Sequence, residues 1–314
     1  MSFTSDIKKE LTTISVNKKC CQLAQVAGFL RFAGSLTIGT GGLGIRITTD
    51  NPAVLRLFVT LIKDYFGTKG ELSVENSVQP LSKGRTYGLD ITAEMNSEGI
   101  LRESGILGVR EGQNYITETL RSDIIKKRCC KKAFLRGAFL AAGMATDPAK
   151  AYQLEIVCES EQLASEMRKL IANVGLKAKI SKRRSKFVIY MKDAEQISDF
   201  LGIIGASNQL FKFENTRITK EMRNAANRAL NCENANLQRA VNAAQKQIAD
   251  IKTIEEKQGL ESLSENLKQT ALLRMEYPEL SLAELSQMFD PPVAKSGLNH
   301  RLARLSEIAA ALRE

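Results

Sequence analysis

The chain has 314 residues, of which 43% are hydrophobic and 25% charged, and a formal net charge of +10 at pH 7. This length predicts two or three compact units, each able to bury a core, and the ordinary apolar fraction excludes a disordered protein. No stretch approaches the roughly 20 apolar residues of a transmembrane helix, and the first residues contain no apolar signal segment. We therefore expect a folded cytoplasmic protein that does not bind a membrane.

The positive charge is concentrated in one segment. Residues 121–192 contain 17 basic and 6 acidic side chains, and this surplus of basic residues accounts for the net positive charge of the whole chain. Such a block favours a polyanionic partner, because neutralising many phosphates requires many clustered cations. The alternative is a basic face that only contacts solvent.

A duplicated pattern relates two parts of the chain. The sequence CCQLAQVAGFLRFAG at residues 20–34 is repeated as CCKKAFLRGAFLAAG at residues 129–143, with the cysteine pair and two glycines at the same spacing. A shift of 109 residues aligns the copies. So long a period indicates two copies of a domain, since solenoid repeats span only about 20 to 50 residues.

The first copy has the pattern of a mixed helix and strand unit. Periodicity predicts helices over 2–14, 20–33, 52–66 and 96–104, and alternation predicts strands over 36–40, 43–49, 71–75 and 86–92. The glycine-rich run 39–44 lies between strands and lacks the GK[ST] ending of a phosphate-binding loop. We expect a hairpin turn there.

The second copy repeats this order. Its pattern predicts helices over 118–127, 129–142, 160–174 and 194–204, a strand over 152–158, and a hairpin over 176–191. Each copy is therefore predicted to be an α+β unit. We expect the two glycine-marked helices, one from each copy, to pack against each other, because small residues allow a close approach. Asp50 and Asn51 in the first copy, and Glu159 in the second, stand between strand and helix, where we expect them to cap the helices.

The cysteines do not have the spacing of a metal or redox motif. The chain contains six cysteines and one histidine, and no CxxC pair. Adjacent residues of a helix point about 100° apart, so we do not expect Cys20 with Cys21, or Cys129 with Cys130, to ligate one ion. Buried thiols pack as small apolar groups. We predict neither a metal site nor a cofactor, and a four-cysteine metal site is the alternative.

Residues 216–259 contain no proline and keep a helical apolar period, which predicts one or two long helices. Seven amides fall on one face, at Asn224, Asn227, Asn231, Asn234, Gln238, Asn242 and Gln245. Each asparagine costs about 0.5 kcal/mol relative to alanine within a helix. We hypothesise that this face binds nucleic acid or the first domain; the alternative is an ordinary polar helix side.

Residues 261–314 predict three helices, over 264–275, 282–288 and 295–312, with Ser281 and Glu284 as a capping box. The short separation of the last two is typical of a helix-turn-helix, whose later helix enters the major groove. Eight acidic and six basic residues argue against purely electrostatic binding. The side chains expected to contact DNA are Ser281, Lys295, Ser296, Asn299, His300, Arg301 and Arg304.

The duplicated segments resemble a known family. VAGFLRFAG at 26–34 and LRGAFLAAG at 135–143 resemble the signature helices of LAGLIDADG homing endonucleases. In that family the residue before each final glycine is the acid that holds the catalytic metal. These residues are Ala33 and Ala142 here, and a methyl group cannot ligate Mg²⁺. The resemblance thus implies a non-enzymatic protein without catalytic residues; a nuclease that uses displaced acids is the alternative.

The same resemblance implies a DNA-contacting role for the hairpin over 176–191, because such relatives lay strands along the major groove. The basic residues expected to contact phosphates are Lys182, Arg183, Arg184 and Lys186, close to Lys177 and Lys179. The corresponding hairpin of the first copy has only Lys83 and Arg85. We therefore expect the second copy to make more contacts with DNA than the first.

Three features together resemble the WhiA family of Gram-positive bacteria over essentially the whole chain. They are the degenerate signatures, the segment NAANRALNCENANLQRAVNAAQKQI, and the terminal SLAELSQMFDPPVAKSGLNHRLARL. The resemblance implies a duplicated LAGLIDADG-type αββαββα pseudo-dimer with repeats over 1–108 and 109–206, an α-helical linker over 207–260 and an all-α helix-turn-helix module over 261–314.

Membership of that family implies a nucleoid-associated transcriptional regulator that binds double-stranded DNA and acts in sporulation, cell division or chromosome segregation. A protein partner that binds residues 1–206, such as a transcription factor, is compatible with this role. A protein-interaction scaffold with auxiliary DNA binding is the remaining alternative.

Overall fold

The structure is a computed structural model that describes residues 2–39, 41–76 and 85–313. Backbone contacts divide the chain into two units, Met1–Lys220 and Glu221–Glu314. The first unit contains two four-stranded antiparallel sheets with helices, and the second unit is helical throughout the part that is described. The α+β fold predicted from the sequence is confirmed.

The first repeat follows the predicted order. It consists of α1 (Phe3–Leu11), α2 (Lys19–Ala33), β1 (Gly34–Gly39), β2 (Gly42–Thr49), α3 (Pro52–Phe66), β3 (Glu71–Asn76), β4 (Arg85–Ile91), a 3₁₀ turn (Ala93–Met95) and α4 (Ser97–Glu103). The sheet has the strand order β1-β2-β4-β3. Thr40 of the predicted first strand and Lys83 of the second hairpin lie outside the described residues.

The second repeat has the same topology. Its elements are β5 (Leu107–Arg110), β6 (Gln113–Ile116), α5 (Arg128–Ala142), β7 (Gly143–Ala145), β8 (Leu154–Cys158), α6 (Glu161–Ala172), β9 (Lys179–Arg183), β10 (Lys186–Met191) and α7 (Ala194–Ile204). The strand order β7-β8-β10-β9 reproduces that of the first sheet. The internal duplication predicted from the sequence is therefore a duplication of structure.

Of the predicted caps, Asn51 is confirmed, whereas Asp50 and Glu159 lie one position before the residue that caps the helix. Asn51 begins α3 by accepting the N–H of Ala53 at 3.0 Å, and the Ser160 hydroxyl begins α6 by accepting a backbone N–H at 3.2 Å. Asp50 and Glu159 precede these caps. The shorter polar side chain directly before each helix reaches the free N–H groups first.

The segment between β6 and α5 also differs from the prediction. Residues 118–127 form no helix, and a turn spans 122–125. The Arg31 guanidinium donates to the carbonyl oxygens of Thr117 at 2.6 Å and Thr119 at 3.2 Å. The Thr117 hydroxyl also accepts the Thr119 N–H. These bonds engage the backbone groups that a helix would use.

A short hairpin before this segment was not predicted. It pairs β5 with β6, and the residues between them, Glu111 and Gly112, have φ angles of 53° and 77°. Two consecutive positive φ angles are typical of a type I′ turn, which matches the twist of the two strands. The dipeptide Glu-Gly is a weaker signal for this turn than Asn-Gly, so the sequence pattern did not reveal it.

The two glycine-marked helices pack closely, as predicted. A Cβ atom built on Gly28 would lie 2.2 Å from the Phe134 carbonyl oxygen, and one on Gly137 would lie 2.1 Å from the Gln25 carbonyl oxygen. Only a residue without a side chain allows the backbones of α2 and α5 to approach to this extent. This contact places residues of equivalent sequence position side by side at the centre of the first unit.

The helices of the C-terminal half agree with the prediction. One helix, α8 (Ser207–Gln258), begins in the first unit and ends in the second. It is followed by a 3₁₀ turn (Leu260–Ser262), α9 (Glu265–Glu276), α10 (Leu282–Gln287) and α11 (Lys295–Arg313). The core of the second unit contains Ile251, Ile254, Ala271, Leu285, Phe289, Leu298, Leu302, Leu305 and Ala309.

Candidate nucleic-acid interface

The last two helices have the arrangement expected of a helix-turn-helix. Helix α10 begins with a complete capping box: the Ser281 hydroxyl accepts the Glu284 N–H at 3.3 Å, and the Glu284 carboxylate accepts the Ser281 N–H at 2.9 Å. The backbone hydrogen bond from Ser281 lowers the pKa of Glu284. Residues 288–294 connect α10 to α11, one residue more than lies between the two predicted helices.

The connection is anchored in the core. Phe289 is 3% exposed, and the Val293 N–H donates to the Ser286 carbonyl oxygen at 3.1 Å. Leu298 and Leu302 are also buried, which fixes the side of α11 that faces the core. The opposite side of α11 is therefore presented to solvent.

Four of the predicted DNA-binding residues lie on this solvent side. Lys295, Ser296, Asn299 and His300 are exposed, within the first two turns of α11. In the described part of the chain, the side chains of these four residues have no hydrogen-bond partner. Ammonium, hydroxyl, amide and imidazole groups can all contact phosphates or base edges.

Three further predicted residues have partners within the second unit. The guanidinium carbon of Arg301 lies 5.5 Å from the centre of the Phe289 ring, and Arg304 forms an ion pair with Glu307 at 2.6 Å. Ser281 is engaged in its cap. Removal of any of these side chains thus alters local structure as well as a possible DNA contact.

Two buried polar side chains hold the helices of the second unit together. Asp250 on α8 is 2% exposed and accepts from Ser306 at 2.7 Å and Arg313 at 2.8 Å on α11. Arg274 on α9 is 2% exposed and donates to Gln247 at 3.0 Å and to the Leu280 carbonyl oxygen at 2.7 Å. These bonds position α10 and α11 on the end of α8. Sequence reasoning missed both residues because Ser306, Arg313 and Gln247 are distant from them along the chain.

The basic hairpin of the second repeat is partly neutralised. Arg183 makes two hydrogen bonds to the nearly buried Glu155, at 2.6 and 3.0 Å, and Lys186 pairs with Glu159 at 2.8 Å. Arg183 and Lys186 are cross-strand neighbours, so they share one sheet face. The prediction treated all of these cations as equally available, whereas two of them have acidic partners.

The other two predicted cations of the hairpin are exposed without an acidic partner in the described residues. Lys182 occupies the opposite face of β9 and its ammonium lies 5.8 Å from the centre of the Phe187 ring. Arg184 is in the turn, with a φ angle of 55°. Lys182 and Arg184 are therefore the members of this group that are free to contact phosphates.

The seven amides on α8 are all exposed. Gln238 donates to Asn242 at 2.9 Å, one turn away. The predicted common face thus exists on a helix, and its groups are available to water or to a partner.

Ala33 and Ala142, which the sequence resemblance aligns with the endonuclease acids, lie at helix ends. Each is the last residue of its helix, and the glycine that follows begins β1 or β7. Nearby acids are engaged elsewhere: Asp147 accepts the Ala149 N–H at 2.9 Å, and Glu159 pairs with Lys186.

The four cysteines of the duplicated segments converge, contrary to the expectation from one helix. The Sγ atoms of Cys20, Cys21, Cys129 and Cys130 all lie within 4.8 Å of one another. In the described residues, they form the only group of three or more His, Cys, Asp or Glu side chains able to share a metal ion. Burial raises the pKa of Cys21 to about 11 and that of Cys130 to about 12.

No helix in the described part of the chain is both long and apolar enough to cross a membrane. The longest helix, α8, contains many charged and amide side chains.

Three family descriptions match consecutive parts of the chain. Residues 19–107 match the WhiA N-terminal LAGLIDADG-like domain, residues 131–223 match the WhiA LAGLIDADG-like domain, and residues 226–309 match the WhiA C-terminal HTH domain. The matches occur in the order that the sequence resemblance implied.

Full-length relatives show the same similarity. The chain is 41% identical over 313 residues to the "Probable cell division protein WhiA" of Clostridium beijerinckii and 42% identical over 315 residues to that of Clostridium novyi, covering 100% of this chain and 99% of each relative. The crystal structure of full-length DUF199/WhiA from Thermatoga maritima is 26% identical, with a TM-score of 0.60 and coverage of 99% of both chains.

Proposed function

Because the chain belongs to the WhiA family, we propose that it is a non-enzymatic regulator of transcription that binds double-stranded DNA sequence-specifically. The observation that carries this proposal is the exposed side of α11, where Lys295, Ser296, Asn299 and His300 project from a helix whose other side is buried. The names of its relatives support a link to cell division, and we propose chromosome segregation or sporulation as related processes.

Base recognition is assigned to α11 because the hydrogen-bonding groups of its exposed side chains are complementary to those on the edges of DNA bases. An asparagine amide can donate and accept at once, which matches the N6 and N7 groups of adenine, and lysine can donate to guanine. The segment 261–314 carries more acidic than basic residues. Its contribution should therefore be sequence selectivity, with general attraction to DNA supplied by other parts of the chain.

That attraction is assigned in part to the hairpin of β9 and β10. Lys182 and Arg184 are exposed and have no acidic partner among the described residues, whereas Arg183 and Lys186 already have one. Phosphate contacts raise affinity for every sequence and make it dependent on salt. The hairpin should therefore contribute affinity without changing which sequence is preferred.

The experiment is selection of DNA fragments from genomic DNA by the full-length protein, followed by sequencing. We expect wild type to enrich a defined motif and Asn299→Ala/His300→Ala to lose that enrichment. The matched control is Asn266→Ala, an exposed asparagine on α9, which should select the wild-type motif. If the Asn299→Ala/His300→Ala protein selects the same motif with the same enrichment, α11 is not the recognition helix.

The hairpin is tested by binding curves at several salt concentrations. Lys182→Ala/Arg184→Ala should reduce the slope of log K against log salt by about 2, since each lost phosphate contact removes about 0.9. Lys63→Ala/Lys69→Ala, which removes the same charge from the first repeat, should leave the slope nearly unchanged. Equal slopes for wild type and the hairpin variant would exclude these two residues from the interface.

The absence of an enzymatic role is proposed because Ala33 and Ala142 occupy the helix ends where the endonucleases place carboxylates. Supercoiled plasmid incubated with the protein and Mg²⁺ or Mn²⁺ should remain uncut, because methyl groups provide no metal ligand. Cleavage that copurifies with the protein and requires the metal would contradict this proposal.

A further inference from the structure

The cysteine cluster combines residues from both repeats. Cys20 and Cys21 lie in the first turn of α2, and Cys129 and Cys130 lie in the first turn of α5. Within one helix the neighbouring side chains diverge, but the second helix supplies its pair from the facing side. The close contact of α2 and α5 at Gly28 therefore brings all four sulfurs together.

We propose that these four thiols form a structural site for one zinc ion that joins the two repeats. Zinc is bound tetrahedrally with Zn–S distances of about 2.3 Å, which places neighbouring sulfurs about 3.8 Å apart. The Sγ atoms lie within 4.8 Å of one another, and those of Cys129 and Cys130 are 4.0 Å apart. The sulfurs are therefore at most about 1 Å farther apart than in a tetrahedral zinc site.

The four sulfur ligands favour zinc over metals that prefer oxygen ligands. Four sulfur ligands are typical of structural zinc, whereas magnesium and calcium require oxygen ligands. An iron–sulfur cluster is several atoms wide and holds its cysteines farther apart than a single ion does. With four protein ligands no coordination position remains for substrate, so the site is structural in character.

The surroundings of the cluster compensate the charge of such a complex. A zinc ion with four thiolates has a net charge of −2, and the positive ends of the dipoles of α2 and α5 are at the cysteines. The first turns of both helices contain no acidic residue, and Lys18, Lys19, Lys127 and Arg128 flank the two pairs. The helix dipoles and the flanking cations therefore offset part of the negative charge of such a complex.

The burial of the sulfurs also fits a bound ion. Cys21 and Cys130 are buried, at 9% and 2% exposure, while Cys20 and Cys129 are partly exposed. The partly exposed pair provides a path for zinc from solvent, and the buried pair excludes water from the complex. Cys21 and Ala33 are twelve positions apart in α2, a distance of about 18 Å. The site is thus distinct from the end of α2 that corresponds to the endonuclease acids.

The experiment measures metal binding by the full-length protein. After purification under reducing conditions and removal of metal with a chelator, Co²⁺ is added as a spectroscopic probe. We expect one Co²⁺ per chain, with the sulfur-to-cobalt charge-transfer band and visible ligand-field bands of a tetrahedral thiolate site, and displacement by Zn²⁺. Zinc should raise the melting temperature of the metal-free protein by several degrees, because it binds the folded state preferentially.

Variants identify the ligands. Cys21→Ser/Cys130→Ser should lose the charge-transfer band and weaken zinc binding at least 100-fold, and the matched control Cys232→Ser, at an exposed cysteine of α8, should retain both. Should the double variant not fold, Cys20→Ser, at a partly exposed position, is measured in its place. A fully reduced wild-type protein without a cobalt–thiolate spectrum overturns the proposal, as does disulfide formation that accounts for the thiols while the reduced protein binds no metal.

Discussion

The contact between α2 and α5 predicts an unusual response to alanine. In most helices Gly→Ala stabilises by about 1 kcal/mol because alanine has the higher helix propensity. At Gly28 the new Cβ would lie 2.2 Å from the Phe134 carbonyl oxygen, about 1 Å closer than van der Waals contact allows. The obstacle is backbone, so the helices must separate, and overpacking of this kind costs up to about 3 kcal/mol. We expect Gly28→Ala to destabilise the first unit by about 2 kcal/mol.

Calorimetry of the full-length protein is the appropriate assay. For a unit of this size, about 2 kcal/mol corresponds to a fall of roughly 4–8 °C in the melting temperature. The matched control is Gly202→Ala on α7, where the added Cβ would lie 3.7 Å from the nearest atom, on Leu210. This control should melt at the wild-type temperature or above it.

The second glycine of the contact provides an additional test. Gly137→Ala should destabilise to a similar extent, because its Cβ would lie 2.1 Å from the Gln25 carbonyl oxygen. Combining it with Gly28→Ala should cost less than the sum, since a single separation of the helices accommodates both methyl groups. The reasoning is refuted if Gly28→Ala melts as high as Gly202→Ala.

Two further predictions concern buried polar groups. Arg274→Ala should destabilise the second unit by about 3 kcal/mol in urea unfolding, because partly buried acceptors lose their donor. The control Lys268→Ala removes only a surface ion pair and should change stability by less than about 1 kcal/mol. At about pH 8, iodoacetamide should alkylate exposed Cys232 rapidly and Cys158 slowly by mass spectrometry, because burial raises the pKa of Cys158 to about 12 and only the thiolate reacts. Equal rates would contradict this assignment.

Local features of the fold were predictable from the sequence because they depend on neighbouring residues. Helical and alternating periodicity located most helices and strands, and the shift of 109 residues revealed the duplication. The prediction of a helix over 118–127 failed because the carbonyl oxygens of Thr117 and Thr119 accept hydrogen bonds from Arg31, which is distant in sequence. The residues on the exposed side of α11 were found from composition and spacing, since one helix determines which of its residues share a face.

The amino-acid sequence by itself determined the two repeats, the absence of carboxylates at Ala33 and Ala142, and the helices of the C-terminal unit. Only the tertiary structure decided which charged groups are paired and which sulfurs meet. The ion pair of Arg183 with Glu155 and the convergence of the cysteines depend on contacts between residues far apart in the chain. Periodicity describes one helix or strand at a time, so the distance between atoms of different elements emerges only when those elements pack.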